Sequence, residues 1–140
     1  MDKIQEQIVE EFSLFDDWLD KYDYLISLSD TLPAIAPEHR TEQYAIQGCQ
    51  SRVWIDAARR EGRVYYTADS DAVITKGIIA LLVRVLSGRT PQEILSTKLD
   101  FIDAIGLQSN LSPTRANGLL AMIKQIRVYA LAFDSKEKNE

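Results

Sequence analysis

Two runs of alternating apolar and polar residues lie in the middle of this 140-residue chain, separated by Glu61-Gly62. In the first run, residues 53–57, every second side chain is apolar and shares one face, and residues 64–68 repeat that alternation. Alternation on both sides of a turn that contains glycine is typical of a β-hairpin. Residues 44–46 are predicted to form a short third strand that completes a small antiparallel sheet.

Apolar residues at helical spacing come before the hairpin and predict two helices. Asp16 is the expected N-cap of the second helix, and Pro33 is expected to end it. The first apolar stripe consists of Ile4, Ile8, Phe12 and Phe15, and the second of Leu19, Tyr22, Ile26 and Leu28.

Helices are predicted again after the hairpin. Asp69-Ser70-Asp71 supplies N-cap candidates for one that ends near Gly88, and residues 90–93 have the form of a capping box. Ser112 before a proline is expected to open a long final helix that lies on the sheet. Its apolar stripe is Leu119, Ile123, Ile126, Ala130 and Phe133. We expect one domain over residues 1–133, followed by a polar, frayed tail at 134–140.

The charge balance of 16 basic and 21 acidic residues, a net charge of −5, argues against a nucleic-acid partner, which would need a basic face. The first residues lack the basic start and apolar run of a signal peptide, so we expect no export. The longest apolar run, residues 77–83, is far too short to span a bilayer, so we expect no membrane partner. A reducing, cytoplasmic location is therefore expected.

Cys49 is the only cysteine in the chain, so it has no partner for an internal disulfide and cannot by itself hold zinc or an iron–sulfur cluster. It serves either as a small apolar group in the core or as a reactive thiol. Its neighbours favour chemistry, because Gly48 permits a turn and Gln47, Gln50 and Ser51 are polar residues that fit poorly around a core position.

Other candidates for chemistry near the thiol are few. His39 is the only histidine, so a Cys–His pair would have to join it to Cys49, although a lone histidine in a proline-containing loop is usually solvated surface. Arg52 and Arg115 are cations suited to a thiolate or persulfide, although single arginines are more often surface charges. The spacing of Asp69 and Asp71 just before a helix is explained better by capping than by metal binding, and Asp71 is also a candidate partner contact. No metal site is predicted.

Three segments together resemble the SufE family of cysteine-desulfurase sulfur acceptors, and the resemblance extends from about Phe12 to about Leu131. It implies an α/β (α+β) fold in which helices pack on one side of a small antiparallel sheet, as in iron–sulfur scaffold proteins of the IscU type. The segments are Ile46-Gln47-Gly48-Cys49-Gln50-Ser51-Arg52-Val53-Trp54, Asp69-Ser70-Asp71-Ala72 through Lys76-Gly77, and Leu111-Ser112-Pro113-Thr114-Arg115 through Gly118-Leu119.

The resemblance also implies a function. Cys49 would take persulfide sulfur from a SufS-like cysteine desulfurase, stimulate that enzyme, and pass the sulfur to a SufBCD-like iron–sulfur scaffold complex. The pyridoxal phosphate would belong to the desulfurase, so this chain would need no cofactor beyond a transient persulfide on Cys49. Two alternatives stay open: an allosteric activator of the desulfurase that carries no sulfur, and an interaction domain whose thiol is an incidental core group.

Two expectations concern the surroundings of the thiol. Because an exposed persulfide is open to oxidation and to small thiols, we expect Cys49 to pack against apolar side chains, with Ile46 and Val53 as candidates, until the partner binds. In the family the three resembling segments converge. The docking surface is therefore expected to gather the Cys49 segment with Gln47, Gly48, Gln50, Ser51 and Arg52, the turn at Asp71, and the start of the long helix at Arg115.

Overall fold

An antiparallel pair of strands packs against helices in the computed structural model, which describes residues 2–46 and 51–138. The α+β fold class is confirmed. The helices are α1 (Lys3–Ser13), α2 (Trp18–Ser27), α3 (Val73–Leu86), α4 (Pro91–Ser96), α5 (Asp100–Ala104), α6 (Leu107–Asn110) and α7 (Pro113–Lys138), and the strands are β1 (Val53–Arg60) and β2 (Arg63–Ser70). Two 3-10 turns, Leu28–Thr31 and Pro37–His39, lie before the sheet.

The predicted hairpin is confirmed, and its turn explains why these residues form it. Glu61 (φ 53°) and Gly62 (φ 77°) both have positive φ, the geometry that matches the twist of a two-residue hairpin. The register pairs Val53 with Ser70 and Ala57 with Tyr66, so the apolar positions of both strands share one face.

The predicted third strand at residues 44–46 is reduced to an isolated bridge between Ala45 and Trp54. Two backbone hydrogen bonds hold it, from Ile46 N–H to the carbonyl of Val53 (2.9 Å) and from Ile55 N–H to that of Tyr44 (3.1 Å). The N–H groups of Tyr44 and Ala45 are used in turns instead, bonding to carbonyls at positions 41 and 42. A longer strand does not form because its donors are already engaged.

The two N-terminal helices occur as predicted, with differences in detail. Asp17, not Asp16, caps α2, because its carboxylate accepts the N–H of Asp20 (2.9 Å) at the first turn. Leu19, placed in the apolar stripe of α2, is 74% exposed, whereas Leu25 is fully buried. The buried face of α2 is therefore rotated from the predicted one.

The acidic turn before α3 does not cap that helix. Ala72 occupies the N-cap position, and no side chain of the described residues caps it. Asp69 instead forms ion pairs with Arg40 (3.2 Å) and Lys76 (3.4 Å), and Asp71 accepts a hydrogen bond from another loop. The prediction that these acids serve as caps is therefore wrong.

The C-terminal half largely follows the predicted signals. The capping box of α4 is present between Thr90 and Glu93, and Ser112 accepts the N–H of Arg115 (3.3 Å) at the start of α7. The expected frayed tail is wrong for residues 134–138, because α7 continues through them and Asp134 is 6% exposed.

The sheet is fastened to α7 by two tyrosines. The hydroxyl of Tyr66 on β2 donates to the carbonyl of Ile126 (2.7 Å), and that of Tyr129 on α7 donates to the carbonyl of Ile55 on β1 (2.8 Å). On the predicted stripe of α7, the fully buried residues are Leu119, Ile126 and Ala130. The stripe therefore packs into the core formed with the hairpin and α3.

A partly exposed ion pair between Arg84 and Glu11 joins the first three helices and gives a test of the fold. Arg84 on α3 donates to Glu11 on α1 (Nη1 to Oε1, 3.0 Å), and the hydroxyl of Tyr24 on α2 donates to the same carboxylate. The hydrogen bonds from Arg84 hold the pKa of Glu11 below its ordinary value.

Because the folded-state pKa of Glu11 is lowered, its contribution to stability is present above the unfolded-state pKa and is lost as pH falls through the folded-state value. We expect Glu11→Gln to lower the free energy of unfolding by about 1 kcal/mol at neutral pH, since the pair is partly exposed. The difference from wild type should shrink towards pH 3, measured by urea unfolding. Glu42→Gln, at an exposed position, is the control, and a difference independent of pH would contradict the pairing.

Candidate functional site

The open end of the hairpin holds the residues that flank the cysteine segment. Arg52 and Asp71 are joined by two hydrogen bonds: the N–H of Arg52 donates to Asp71 Oδ1 (3.0 Å), and the N–H of Asp71 donates to the carbonyl of Arg52 (3.2 Å). The hydroxyl of Ser70 donates to that same carbonyl (2.8 Å). These three hydrogen bonds hold the backbone just before β1 against the end of β2.

A small cavity of about 20 Å³ lies at this end of the molecule. It lies between Ser51, two residues before β1, and the N-terminal parts of α3 and α7. A cavity of this size has room for about one water-sized atom. Its lining residues are Ser51, Thr75, Ile78, Thr114, Arg115, Gly118 and Met122.

Arg115 reaches the cavity from the first turn of α7 and is half-buried. Its guanidinium donates from Nη1 to the hydroxyl of Tyr22 on α2 (2.8 Å). A cation at this position works against the helix dipole, so the hydrogen bond to Tyr22 compensates for an unfavourable location. Tyr22 was predicted only as part of an apolar stripe.

A second group of charges borders the same end of the hairpin. Arg40 lies over the ring of Trp54, with its guanidinium carbon 4.7 Å from the ring centroid, and pairs with Asp69. Lys76 on α3 pairs with the other oxygen of Asp69. These partly exposed ion pairs contribute little stability, but they attach the loop before the cysteine segment to the hairpin.

The site residues predicted from sequence fall into two groups. Ser51 and Arg115 line one cavity, and Arg52 and Asp71 share two hydrogen bonds directly beside it. The other four predicted residues, Gln47, Gly48, Cys49 and Gln50, lie outside the described residues.

The contact of Ile46 and Val53 with the thiol involves a residue outside the described ranges, so it stays a prediction. Val53 is fully buried in the core, and Ile46 is half-buried. Neither lines the cavity, whose apolar wall comes from Ile78 and Met122. Sequence reasoning did not single out this pair or Thr75, because nothing local distinguishes them from ordinary helix residues.

His39 is held on the hairpin rather than left solvated. Its Nδ1 lies 2.6 Å from Asp56 Oδ2 on β1, and its ring stacks on Tyr44 with centroids 4.5 Å apart. Its pairing with Cys49 involves a residue outside the described ranges, so it stays a hypothesis.

Within residues 2–46 and 51–138, no three acidic, histidine or cysteine side chains are grouped in a way that would hold a metal ion. No helix in those ranges is long and apolar enough to cross a membrane.

Comparison with known proteins places the chain among proteins of iron–sulfur metabolism. It belongs to the SufE family, whose profile, described as an Fe-S metabolism associated domain, matches residues 6–130. The resemblance seen in the three sequence segments is confirmed.

Curated relatives agree with the family profile. An uncharacterized SufE-like protein of Synechocystis is 40% identical over 127 residues, covering 91% of this chain and 80% of the relative. One of Rhizobium etli is 38% identical, covering 87% of this chain and 86% of the relative. SufE-like protein 1 of Arabidopsis thaliana, named chloroplastic/mitochondrial, is 42% identical over 99% of this chain, but this chain spans only 37% of that relative.

A solved structure supports the fold alone. The solution structure of a hypothetical protein from Thermus thermophilus superposes with a TM-score of 0.75, covering 92% of this chain and 94% of the other, at 22% sequence identity. The arrangement of hairpin and helices is therefore one that an experimentally determined protein shares.

Proposed function

We propose that this protein is a sulfur acceptor and carrier that takes persulfide sulfur from a cysteine desulfurase onto Cys49 and stimulates that enzyme. The observation that carries the proposal is the position of Ser51, two residues after the cysteine, in a one-atom cavity with the Arg115 guanidinium. Membership in the SufE family supports it, because that family is associated with iron–sulfur metabolism.

The transfer step is a thiol–persulfide exchange. The Cys49 thiolate attacks the outer sulfur of the desulfurase persulfide, the sulfur–sulfur bond breaks, and the desulfurase cysteine leaves as a thiolate. Cys49 then carries the persulfide, and no net oxidation occurs. The guanidinium of Arg115 would supply the cation that stabilises the anionic sulfur.

The source and the destination of the sulfur are parts of the same proposal. The desulfurase is of the SufS type and holds pyridoxal phosphate, so this chain contributes the accepting thiol and no cofactor. The receiving protein is a SufBCD-like scaffold complex. The cytoplasm is the proposed location. Because the Arabidopsis relative is named chloroplastic/mitochondrial, the location should be checked by imaging a tagged protein.

The direct experiment is a mass measurement on the intact protein. After incubation with a cysteine desulfurase and free cysteine, we expect Cys49 to gain the mass of one sulfur atom, and dithiothreitol to remove it. A native protein that gains no sulfur under these conditions would favour an interaction domain with an incidental thiol.

The docking face consists of Arg52, Asp71, Val73 and Arg115. Asp71 is exposed, and Val73 at the start of α3 is 54% exposed, so charge and apolar surface lie side by side next to the cavity. Asp71 would tune the encounter with the desulfurase through charge, whereas Arg115 would be a direct contact.

We expect Arg115→Ala to reduce desulfurase activation about tenfold or more, because a charged contact that becomes buried on docking is lost. Lys136→Ala, at an exposed position of α7, is the matched control and should leave activation unchanged. Activation is measured as sulfide release at increasing concentrations of each variant. Superimposable curves for the two variants would remove Arg115 from the docking face.

A further inference from the structure

A row of exposed apolar side chains lies along one side of α7. Leu120, Val128 and Leu131 are 50%, 45% and 55% exposed. Their positions differ by eight and three residues, and residues three or four apart share one side of a helix, so the three side chains are neighbours on the surface. Single exposed apolar residues need no explanation, but a contiguous row of them marks a surface that contacts another molecule.

These side chains border a groove of about 370 Å³ between α7 and α4. Leu95 on α4 and Ile123 on α7 pack against the core and also line the groove. Because the three residues of the row stay about half exposed, the groove is open along its side and does not enclose a small molecule. From Leu120 to Leu131, α7 extends about 17 Å, the length of about three helical turns.

The charge of the groove differs from that of the whole chain. The charged residues that line it in the described part of the chain are Lys124 and Arg127, and both are cations. No carboxylate of the described residues lines it, although the chain has a net charge of −5. Positive charge beside apolar surface complements a partner that presents apolar and acidic residues together.

Arg127 gives an independent indication that the groove lacks a partner. Its Nη2 donates to the carbonyl of Thr97 (3.1 Å) at the end of α4. Its Nε is buried and has no hydrogen-bond partner in the part of the chain that the structure describes. Buried donors are nearly always paired, and an unpaired donor on a cation is strongly unfavourable. A small rotation of the side chain would present this N–H to a carboxylate in the groove, where a charge-assisted hydrogen bond would satisfy it.

We propose that this groove is a docking site for an amphipathic helix of another protein. The apolar face of that helix covers Leu120, Val128 and Leu131, and a carboxylate on the same face pairs with Arg127, close to Lys124. A helix suits the groove because its apolar side chains recur at i, i+3 or i+4, and i+7, which matches a straight open groove about three turns long. The inference goes beyond sulfur transfer, because no residue of the groove belongs to the docking face proposed for the desulfurase.

The groove is tested with a synthetic helical peptide of about 15 residues that has leucines along one face and glutamates beside them. A second peptide, with lysine in place of each glutamate, is the matched probe. In fluorescence anisotropy with the full chain, we expect saturable binding of the acidic peptide, at least about tenfold tighter than that of the lysine peptide. Methyl NMR signals of Leu120, Val128 and Leu131 should shift on binding. Equal affinity for the two peptides, no saturable binding, or shifts confined to another surface would overturn the proposal.

Two substitutions test the cations. Lys124→Glu, at an exposed position, should weaken binding of the acidic peptide about tenfold and strengthen binding of the lysine peptide. Arg127→Met retains much of the aliphatic packing but removes the guanidinium, and should also weaken the acidic peptide about tenfold. The result for Lys124→Glu decides the question even where Arg127→Met unfolds the chain, as monitored by circular dichroism.

Lys136→Glu is the control for charge, because it makes the same change at an exposed position of α7 that does not line the groove. It should bind the acidic peptide like wild type, and a loss equal to that of Lys124→Glu would refute a local site. Sedimentation of the chain alone tests a second copy as the occupant. Self-association that Leu131→Ser abolishes would assign the groove to a second copy and would overturn the proposal of a different partner.

Discussion

Cys49→Ser is expected to abolish sulfur acceptance completely, because a serine hydroxyl is neither ionised near neutral pH nor able to hold a persulfide. In a desulfurase assay with free cysteine as sulfur source, wild type should gain sulfur and the variant should gain none. Turnover of the desulfurase should fall to the rate measured without this protein, since its persulfide is no longer discharged. Mass spectrometry and sulfide release measure the two effects separately.

The same variant separates the carrier from the pure activator. If Cys49→Ser stimulates turnover as well as wild type does, the protein acts by binding alone and the carrier proposal is wrong. Ser96→Ala, at an exposed position of α4 outside the cysteine segment, is the control and should accept sulfur as wild type does. Retained binding of Cys49→Ser to the desulfurase would show that the docking face survives the substitution.

The parts of the fold that could be predicted are those that depend on neighbours in sequence. The hairpin follows from the alternation of apolar and polar residues and from a turn that Gly62 makes possible. The capping box at Thr90 pairs backbone N–H groups with side chains that lie within four residues of each other. The buried face of α2 was misjudged because apolar spacing does not reveal which side meets the core. Leu19 therefore points to solvent and Leu25 does not.

The candidate site shows the same division between local and distant causes. Cys49 could be predicted as the centre of the site because it lies in a distinctive segment. Arg115 could be predicted because a cation at a helix start opposes the local preference. The hydrogen bond from Arg115 to Tyr22 joins residues 93 apart, so nothing in either segment indicates it. Aspartate is a common N-cap residue, but the carboxylate of Asp71 accepts the N–H of Arg52 at the open end of the hairpin and does not cap α3.

Helix α3 connects the core to this site through a close contact at Gly77. A Cβ added there would lie 2.2 Å from the carbonyl oxygen of Leu25 on α2, a distance that real Cβ atoms do not adopt. That carbonyl also accepts the N–H of Leu28 at the end of α2, so it cannot move without cost. The first turn of the same helix carries Thr75 to the cavity and Lys76 to Asp69. A displacement of α3 would therefore change both stability and the site.

We expect Gly77→Ala to lower the free energy of unfolding by about 2–4 kcal/mol, even though alanine favours a helix by about 1 kcal/mol over glycine. Urea unfolding at neutral pH measures the loss. Gly62→Ala is the control: its φ of +77° imposes strain, but a Cβ there meets nothing within 4 Å, so the loss should be about 1 kcal/mol. A variant as stable as wild type would mean that α2 and α3 do not approach closely at Gly77.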